Sequence, residues 1–191
     1  MISGWFRGLR KNKKGLPPKI LVLVDLENIT INLSLMPLGG AAPSDVIKNL
    51  LPELRKIGDI FYVFVFSPPH RIIGYESFFK KGLVFREGVS LIECPKDIKK
   101  IDGRQAEVDT VDEKIIEWCE TIVPEIEGIT HVCLCSGDAD FLKALKGLKK
   151  RGLKIIIASG QEDSLARELI KLADVNPTTK KKMVFFLRPK N

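Results

Sequence analysis

The sequence has few of the residues that bind zinc. It contains two histidines and four cysteines, and no two cysteines are spaced as C-x-x-C. Structural zinc sites need about four such ligands at short spacings, so no zinc centre of the usual kind can be assembled. Cys133 and Cys135 alternate within an apolar run, which favours thiols packed in the core of a protein from a reducing compartment.

Long apolar segments are also missing. No stretch approaches the roughly 20 apolar residues that cross a bilayer. A secretory signal places positive charge before a long apolar segment, whereas the first fifteen residues place it after a few apolar residues. We therefore expect a cytoplasmic protein with no membrane span.

Acidic residues are absent from both ends of the chain. Residues 1–19 carry six Lys and Arg and residues 180–191 carry five, so the formal charge of +7 leaves the body at −4. Basic ends of this kind contact polyanions or keep a protein in solution. We divide the chain into a flexible basic tail (1–19), one domain (20–179) and a basic C-terminal segment (180–191) that contains a predicted edge strand.

The body alternates between two apolar patterns. Segments 20–24, 60–66 and 130–135 are continuously apolar, which indicates strands covered on both faces, and segments 89–94 and 153–159 add two more strands. Helical spacing of apolar residues predicts helices between these strands. Strands alternating with helices predict a three-layer Rossmann-like α/β fold with a mostly parallel sheet of about five to six strands. The predicted helices lie at 44–58, 72–81, 106–121 and 141–150, with a last one starting at Asp163 or Ser164 and a polar loop at 96–104.

Two carboxylates, Asp138 and Asp140, stand where the strand ending at Cys135 gives way to a helix. Carboxylates this close repel each other, and neither has an adjacent Lys or Arg. Mg²⁺ or Mn²⁺ would make the pair favourable because both ions select carboxylate oxygens. The alternative is that one of the two residues caps the helix.

Further acids are predicted at the same edge of the sheet. Asp25 ends the first strand, and Asp109 or Asp112 begins the helix that precedes the strand ending at Cys135. In doubly wound sheets the carboxyl ends of the strands at the point of order reversal form the ligand crevice. A turn cap at Asp25 and a favourable helix-dipole contact at Asp109 or Asp112 are the alternatives. Together the acids favour one or two Mg²⁺ or Mn²⁺ ions that assist attack on a phosphodiester.

Basic side chains near this edge could contact a nucleic-acid backbone. Lys143 lies on the lysine-rich face of the helix after Asp140, and Arg71 follows a predicted strand. Phosphate contacts of this kind position a strand without reading its sequence. A solvated surface is the alternative for both residues.

Three segments of the chain resemble a known family. The first contains the acid at the end of a strand, and the second contains a Val-Asp pair that begins a helix. The third contains the Ser-Gly-Asp-x-Asp-Phe turn, together with a later strand that follows a glycine. The segments are Val24–Asn28, Val108-Asp109 or Val111-Asp112, and Leu134–Phe141 with Gly152–Ile155. They resemble the NYN domain of the PIN-like ribonuclease superfamily over most of residues 20–175.

The resemblance implies a PIN-like fold and metal-dependent cleavage of RNA. It implies that Asp25, Asp138 and either Asp109 or Asp112 bind the metal, that Asp140 is a fourth acid, and that polar groups shape the site. These polar groups are Asn28 and Ser136. Two alternatives remain: an RNA-binding or scaffold module without catalysis, and a haloacid-dehalogenase-like phosphatase. RNA is the expected partner. The sequence is compatible with a monomer or a homodimer.

Overall fold

A computed structural model describes residues 16–34, 43–68, 88–101, 104–108 and 110–187. The strands are β1 (Lys19–Asp25), β2 (Asp59–Ser67), β3 (Val89–Glu93), β4 (Asp97–Ile101), β5 (Arg104–Val108), β6 (His131–Cys135), β7 (Lys154–Ser159) and β8 (Val184–Phe186). The helices are α1 (Leu26–Ser34), α2 (Pro43–Arg55), α3 (Val111–Glu117), α4 (Leu142–Lys150) and α5 (Arg167–Leu172). None of these helices has the length and apolar character that a membrane crossing needs.

Six strands form one sheet in the order β3-β2-β1-β6-β7-β8, and each neighbouring pair is parallel. The prediction of an α/β fold with a mostly parallel sheet of five to six strands is therefore confirmed. Residues 20–24 of β1 are all fully buried, as their continuous apolar sequence predicted. Strands of this kind need helices on both faces, since both faces are apolar.

The helices cover the two faces of the sheet separately. Helix α2 packs on the face that carries Val22 and Val24, whereas α3, α4 and α5 pack on the face that carries Leu21 and Leu23. Each buried aliphatic side chain contributes about 1.5–3 kcal/mol relative to its exposed state. The result is the three-layer arrangement, with one apolar core on each side of the sheet.

The strand order reverses between β1 and β6. Strand β1 pairs with β2 on one side and with β6 on the other, and Val24 lies opposite Cys135 in the second pair. Asp25 and Ser136, which follow these two residues, therefore emerge side by side at the carboxyl edge. Crevices at such reversal points are where open α/β sheets bind ligands.

The segment between β3 and α3 differs from the prediction. Residues 96–104 were expected as a polar loop and 106–121 as one helix, but β4 and β5 form an antiparallel hairpin. Helix α3 begins only at Val111, and the backbone continues as a π-helical turn (Trp118–Ile122) and a 3-10 turn (Val123–Glu125). The last helix also starts later than predicted, at Arg167. The helix predicted at 72–81 lies outside the described residues.

Candidate metal centre

Three carboxylates converge at the carboxyl edge of the sheet. One oxygen from each of Asp112, Asp138 and Asp140 lies within 4.8 Å of the other two. Asp112 and Asp138 are half-buried, and Asp140 is exposed. The group therefore opens to solvent on the Asp140 side, where a substrate could reach it.

Asp138 is fixed by its role as a helix cap. Asp138 has an extended backbone and directly precedes a 3-10 turn (Ala139–Phe141). Its Oδ1 accepts a hydrogen bond of 2.9 Å from the Asp140 N–H. Phe141 is fully buried and anchors the turn in the core. Asp138 does cap the turn, and the same turn brings the Asp138 and Asp140 carboxylates towards Asp112.

Asp112 reaches the group because α3 starts at Val111. Val111 and Ile115 are buried against the sheet, so the first turn of α3 carries Asp112 at its half-buried edge. The start of the helix is tied to the chain after β3, since the Thr110 hydroxyl donates to the Pro95 carbonyl at 2.7 Å. The hairpin is tied to the same turn by Lys99, whose Nζ lies 2.6 Å from Glu113 Oε1.

Asp25 lies beside the three carboxylates but is not one of them. It is 4 % exposed, its Oδ1 accepts from the Asn28 N–H at 3.0 Å, and its Oδ2 accepts from the Ser136 hydroxyl at 3.1 Å. Ser136 Oγ in turn accepts a 3.3 Å hydrogen bond from the Asp138 N–H. Asp25 therefore caps α1 and connects to Asp138 through one buried hydroxyl.

Asn28 and Gly137 hold the loop after β6 in place. The Asn28 Oδ1 accepts from the Gly137 N–H at 3.2 Å, and the Gly137 carbonyl accepts from the Ala166 N–H at 3.0 Å. A Cβ on Gly137 would lie 2.1 Å from the Ser164 carbonyl oxygen. Only glycine fits this close approach, so the Ser-Gly-Asp turn depends on it.

The donor set suits a hard divalent cation. Bonds from Mg²⁺ to oxygen are about 2.0–2.1 Å long, so two oxygens on one ion are at most about 4.2 Å apart. The three carboxylate oxygens lie within 4.8 Å of one another, so a shift of at most about 0.6 Å brings any two of them within that limit. Among the described residues neither Asp138 nor Asp140 forms an ion pair with Lys or Arg. Asp112, Asp138 and Asp140 would therefore hold Mg²⁺ or Mn²⁺.

The sequence matches the profile of the NYN domain over residues 19–178. This match covers most of the chain. The chain belongs to the NYN domain family. NYN domains are part of the PIN-like nuclease superfamily, so the fold is of a nuclease type.

Solved structures agree with the fold of this NYN domain. A protein of unknown function from Vibrio parahaemolyticus, VPA0982, superimposes with a TM-score of 0.64 at 17% identity, covering 91% of this chain and 94% of that chain. At this identity the likeness shows the fold alone. MurG of Acinetobacter baumannii gives a TM-score of 0.41 at 10% identity over 91% and 47% of the chains, which carries no argument. No curated protein has a sequence similar enough to serve as a relative.

The remaining predicted residues of the NYN site fall into two groups. Lys143 lies on α4, is exposed, and lines the same groove as Asp140. Arg71 and Asp109 lie outside the described residues. Asp112, one of the two candidates for the middle acid, lies beside Asp138 and Asp140.

Thiols also lie at the edge of the centre without taking part in it. Burial raises the pKa of Cys135, and the neighbouring Cys133 thiol and the Asp25 carboxylate raise it further. Burial raises the pKa of Cys119, below the groove, to about 12, and Glu120 adds to this shift. Both thiols therefore remain neutral, and thiolate chemistry is not expected at this site.

The hairpin is the part of the site that sequence reasoning missed. Its strand β4 contacts the first turn of α3, which carries Asp112, through the ion pair of Lys99 with Glu113. A signal for it was present, because Asp102-Gly103 separates two five-residue segments, and Asp-Gly between short strands is a strong hairpin indicator.

Proposed function

We propose that this NYN domain is a cytoplasmic, metal-dependent endoribonuclease. The observation that carries the proposal is the convergence of the Asp112, Asp138 and Asp140 carboxylates at the strand-reversal edge. Three carboxylate oxygens near a solvent-open crevice suit the hydrolysis of a phosphodiester. Membership of the NYN family favours this reaction over the phosphatase alternative.

Asp112, Asp138 and Asp140 are the proposed ligands of Mg²⁺ or Mn²⁺. A bound ion of this kind supplies hydroxide at neutral pH and stabilises the charge that develops on the phosphoryl oxygens. Asp25 serves the site indirectly, because it holds the Ser136 hydroxyl that accepts from the Asp138 N–H. Asp25 is therefore a positioning residue in this proposal.

Lys143 is the proposed contact to the substrate. It is exposed on the first turn of α4, in the groove that also contains Asp140. Its ammonium group would pair with a phosphate next to the scissile bond and fix the strand relative to the acids. Asn28 would keep the acidic turn rigid through its bond to the Gly137 N–H.

The test is incubation of the purified protein with end-labelled single-stranded RNA in Mg²⁺, Mn²⁺ or EDTA. We expect cleavage with either ion and none in EDTA. Asp138→Asn should lower the rate by at least about 100-fold, since it removes a ligand and keeps the cap. Asp59→Asn, at the opposite edge of the sheet, is the matched control and should cleave normally. Cleavage in EDTA, or full activity of Asp138→Asn, would contradict the proposal.

A second function is favoured by a specific observation. Asp25 and Asp138 each cap a helix or turn, so these acids have a folding role that does not require catalysis. An RNA-binding or scaffold module would keep them for that reason. Tight binding of RNA that neither needs metal nor leads to cleavage would favour this alternative.

Two broader parts of the proposal have their own tests. The four cysteines are buried and form no disulfide with one another, which supports a reducing compartment such as the cytoplasm. Fractionation with an antibody to the protein checks the location. A homodimer remains a prediction, and light scattering on the purified chain at several concentrations decides between one copy and two.

A further inference from the structure

A groove runs from the acidic centre along helix α4. It has a volume of about 830 Å³ and lies between α4 and the π-helical turn, with Asp140 and Ala139 at one end and Lys150 and Arg151 at the other. Cys119 and Glu120 line the side formed by the π-helical turn. The groove therefore meets the proposed reaction site at its Asp140 end.

The groove is basic, and its cations are uncompensated. Lys143, Lys146, Lys150 and Arg151 line it, against the two acids Asp140 and Glu120. None of the four cations forms an ion pair with any residue in the part of the chain that the structure describes. Uncompensated cations in a concave surface attract a polyanion.

Lys149 of the same helix differs from the lysines of the groove because it contacts other parts of the protein. Its Nζ lies 3.1 Å from Asp174 Oδ2 and donates to the Leu172 carbonyl at 2.8 Å, so it ties α4 to the end of α5. Lys146 and Lys150 have no such partner among the described residues. The lysines in the groove therefore take no part in tying α4 to its neighbours, although Lys150 in the last turn also suits the helix dipole.

The spacing of the cations fits a nucleic-acid backbone. Lys143, Lys146 and Lys150 follow the i, i+3, i+7 pattern that places residues on one stripe of a helix. At about 1.5 Å of rise per residue the stripe is about 10 Å long. A stacked strand carries one phosphate per about 3.4 Å of its helix axis, so the stripe spans about three phosphate spacings and its three lysines can contact two to three phosphates.

Gly147 provides an independent observation. It lines the groove in the interior of α4, where glycine costs about 0.5–1 kcal/mol relative to alanine. A Cβ on Gly147 would meet no atom within 4 Å, so packing does not require glycine. The helix therefore carries, beside the lysine stripe, a glycine that neither packing nor helix propensity explains.

We propose that this groove is a one-sided track that holds the RNA strand by two to three phosphates on one side of the scissile bond. Lys146, Lys150 and Arg151 are its binding residues, and the contacts are independent of base sequence. The identity of the strand as RNA rests on the proposed function. The presence of a polyanion track rests on the groove alone.

The experiment measures binding of a labelled 12-nucleotide RNA by fluorescence anisotropy in EDTA, so that cleavage cannot interfere. Lys146→Glu/Lys150→Glu should weaken binding at least 10-fold. It should also flatten the dependence of log K on log salt by about 1.4, because each phosphate contact to a single strand contributes about 0.7. Lys48→Glu/Lys56→Glu is the matched control, since Lys48 is on α2 on the opposite face of the sheet. The control should bind within about 2-fold of the wild type.

Cleavage kinetics separate this inference from the proposed function. With Mn²⁺ the groove variant should raise KM for the 12-nucleotide RNA at least 10-fold with kcat nearly unchanged, because the carboxylates are intact. If the groove variant and the control bind and cleave alike, the track is refuted even though the enzyme is active. If the wild type cleaves nothing but the groove variant still loses binding, the proposed function fails and the track stands. A charge-matched polyglutamate that displaces the RNA at equal concentration would refute a nucleic-acid track.

Discussion

Replacing Asp138 by Asn should stabilise the metal-free protein while abolishing its response to metal. Asn caps a helix about as well as Asp, so the hydrogen bond from the Asp140 N–H is retained. The substitution removes two of the three carboxylate pairs in the group. Asp138→Asn therefore changes the repulsion between the carboxylates without removing the hydrogen bond that caps the turn.

The size of this effect follows from the distances. The selected carboxylate oxygens lie within 4.8 Å of one another, and two unit charges at that upper distance repel by about 0.9 kcal/mol in water and by about 3.5 kcal/mol at an effective dielectric constant of 20. Asp140 is exposed, so the value in water applies better, and screening by salt lowers it further. We expect Asp138→Asn to gain about 1 kcal/mol in EDTA, which raises Tm by about 2–4 °C.

Bound metal should make the wild type more stable than Asp138→Asn, which reverses the order of stability expected in EDTA. An ion at 100 times its Kd stabilises the wild type by about 2.7 kcal/mol, or roughly 5–10 °C, and should not stabilise the variant. The assay is thermal unfolding by circular dichroism in EDTA and across a Mn²⁺ titration. Asp138→Ala, which also loses the cap, should be about 1 kcal/mol less stable than Asp138→Asn. Asp59→Asn should behave as the wild type. Equal Mn²⁺ shifts in the wild type and Asp138→Asn, or a loss of stability of Asp138→Asn in EDTA, would refute the reasoning.

Three further predictions concern two glycines and a buried histidine. Gly137→Ala should lose about 2 kcal/mol or more in urea unfolding, because its Cβ would lie 2.1 Å from the Ser164 carbonyl oxygen; an unchanged midpoint would contradict this contact. Gly147→Ala should instead gain about 0.5–1 kcal/mol, and a loss in the same assay would mean that the Cβ is not free of neighbours. Burial lowers the pKa of His131 below its ordinary 6.5, with Asp174 opposing and Lys154 assisting the shift. The unfolded chain then binds the proton first, so stability should fall as pH drops below about 6.5, and His131→Gln should flatten this slope; an unaltered slope would contradict it.

The sheet could be predicted from sequence because its strands are continuously apolar. Runs such as Ile20–Val24 have no polar position that could face water, which requires helices on both faces and hence a parallel sheet. The doubly wound order then places Asp25 beside Ser136 without any knowledge of their contacts. The Ser-Gly-Asp turn after β6 could also be predicted from sequence, because glycine and an N-capping Asp have local conformational preferences.

The detailed roles of the acids could not be predicted. The sequence shows that Asp25 ends a strand, but both of its oxygens are used by Asn28 and Ser136, and the partner on β6 is 111 residues away along the chain. The start of α3 depends on tertiary contacts such as Thr110 with Pro95, so pattern alone left Asp109 and Asp112 open. Lys143 could be placed on a helix face, whereas the groove beside it exists only after the π-helical turn packs against α4.

The most direct test of the metal-centre proposal is the single-turnover rate of RNA cleavage as a function of Mn²⁺ for the wild type and for Asp112→Asn. Asp112 is the proposed ligand that lies on a different element from the Asp138–Asp140 turn, so its loss tests the convergence itself. We predict a saturable rise of the rate with Mn²⁺ for the wild type and a rate at least about 100-fold lower for Asp112→Asn at every concentration. A rate that is the same for both proteins, or that persists in EDTA, would contradict the assignment of a metal-dependent nuclease centre to these three aspartates.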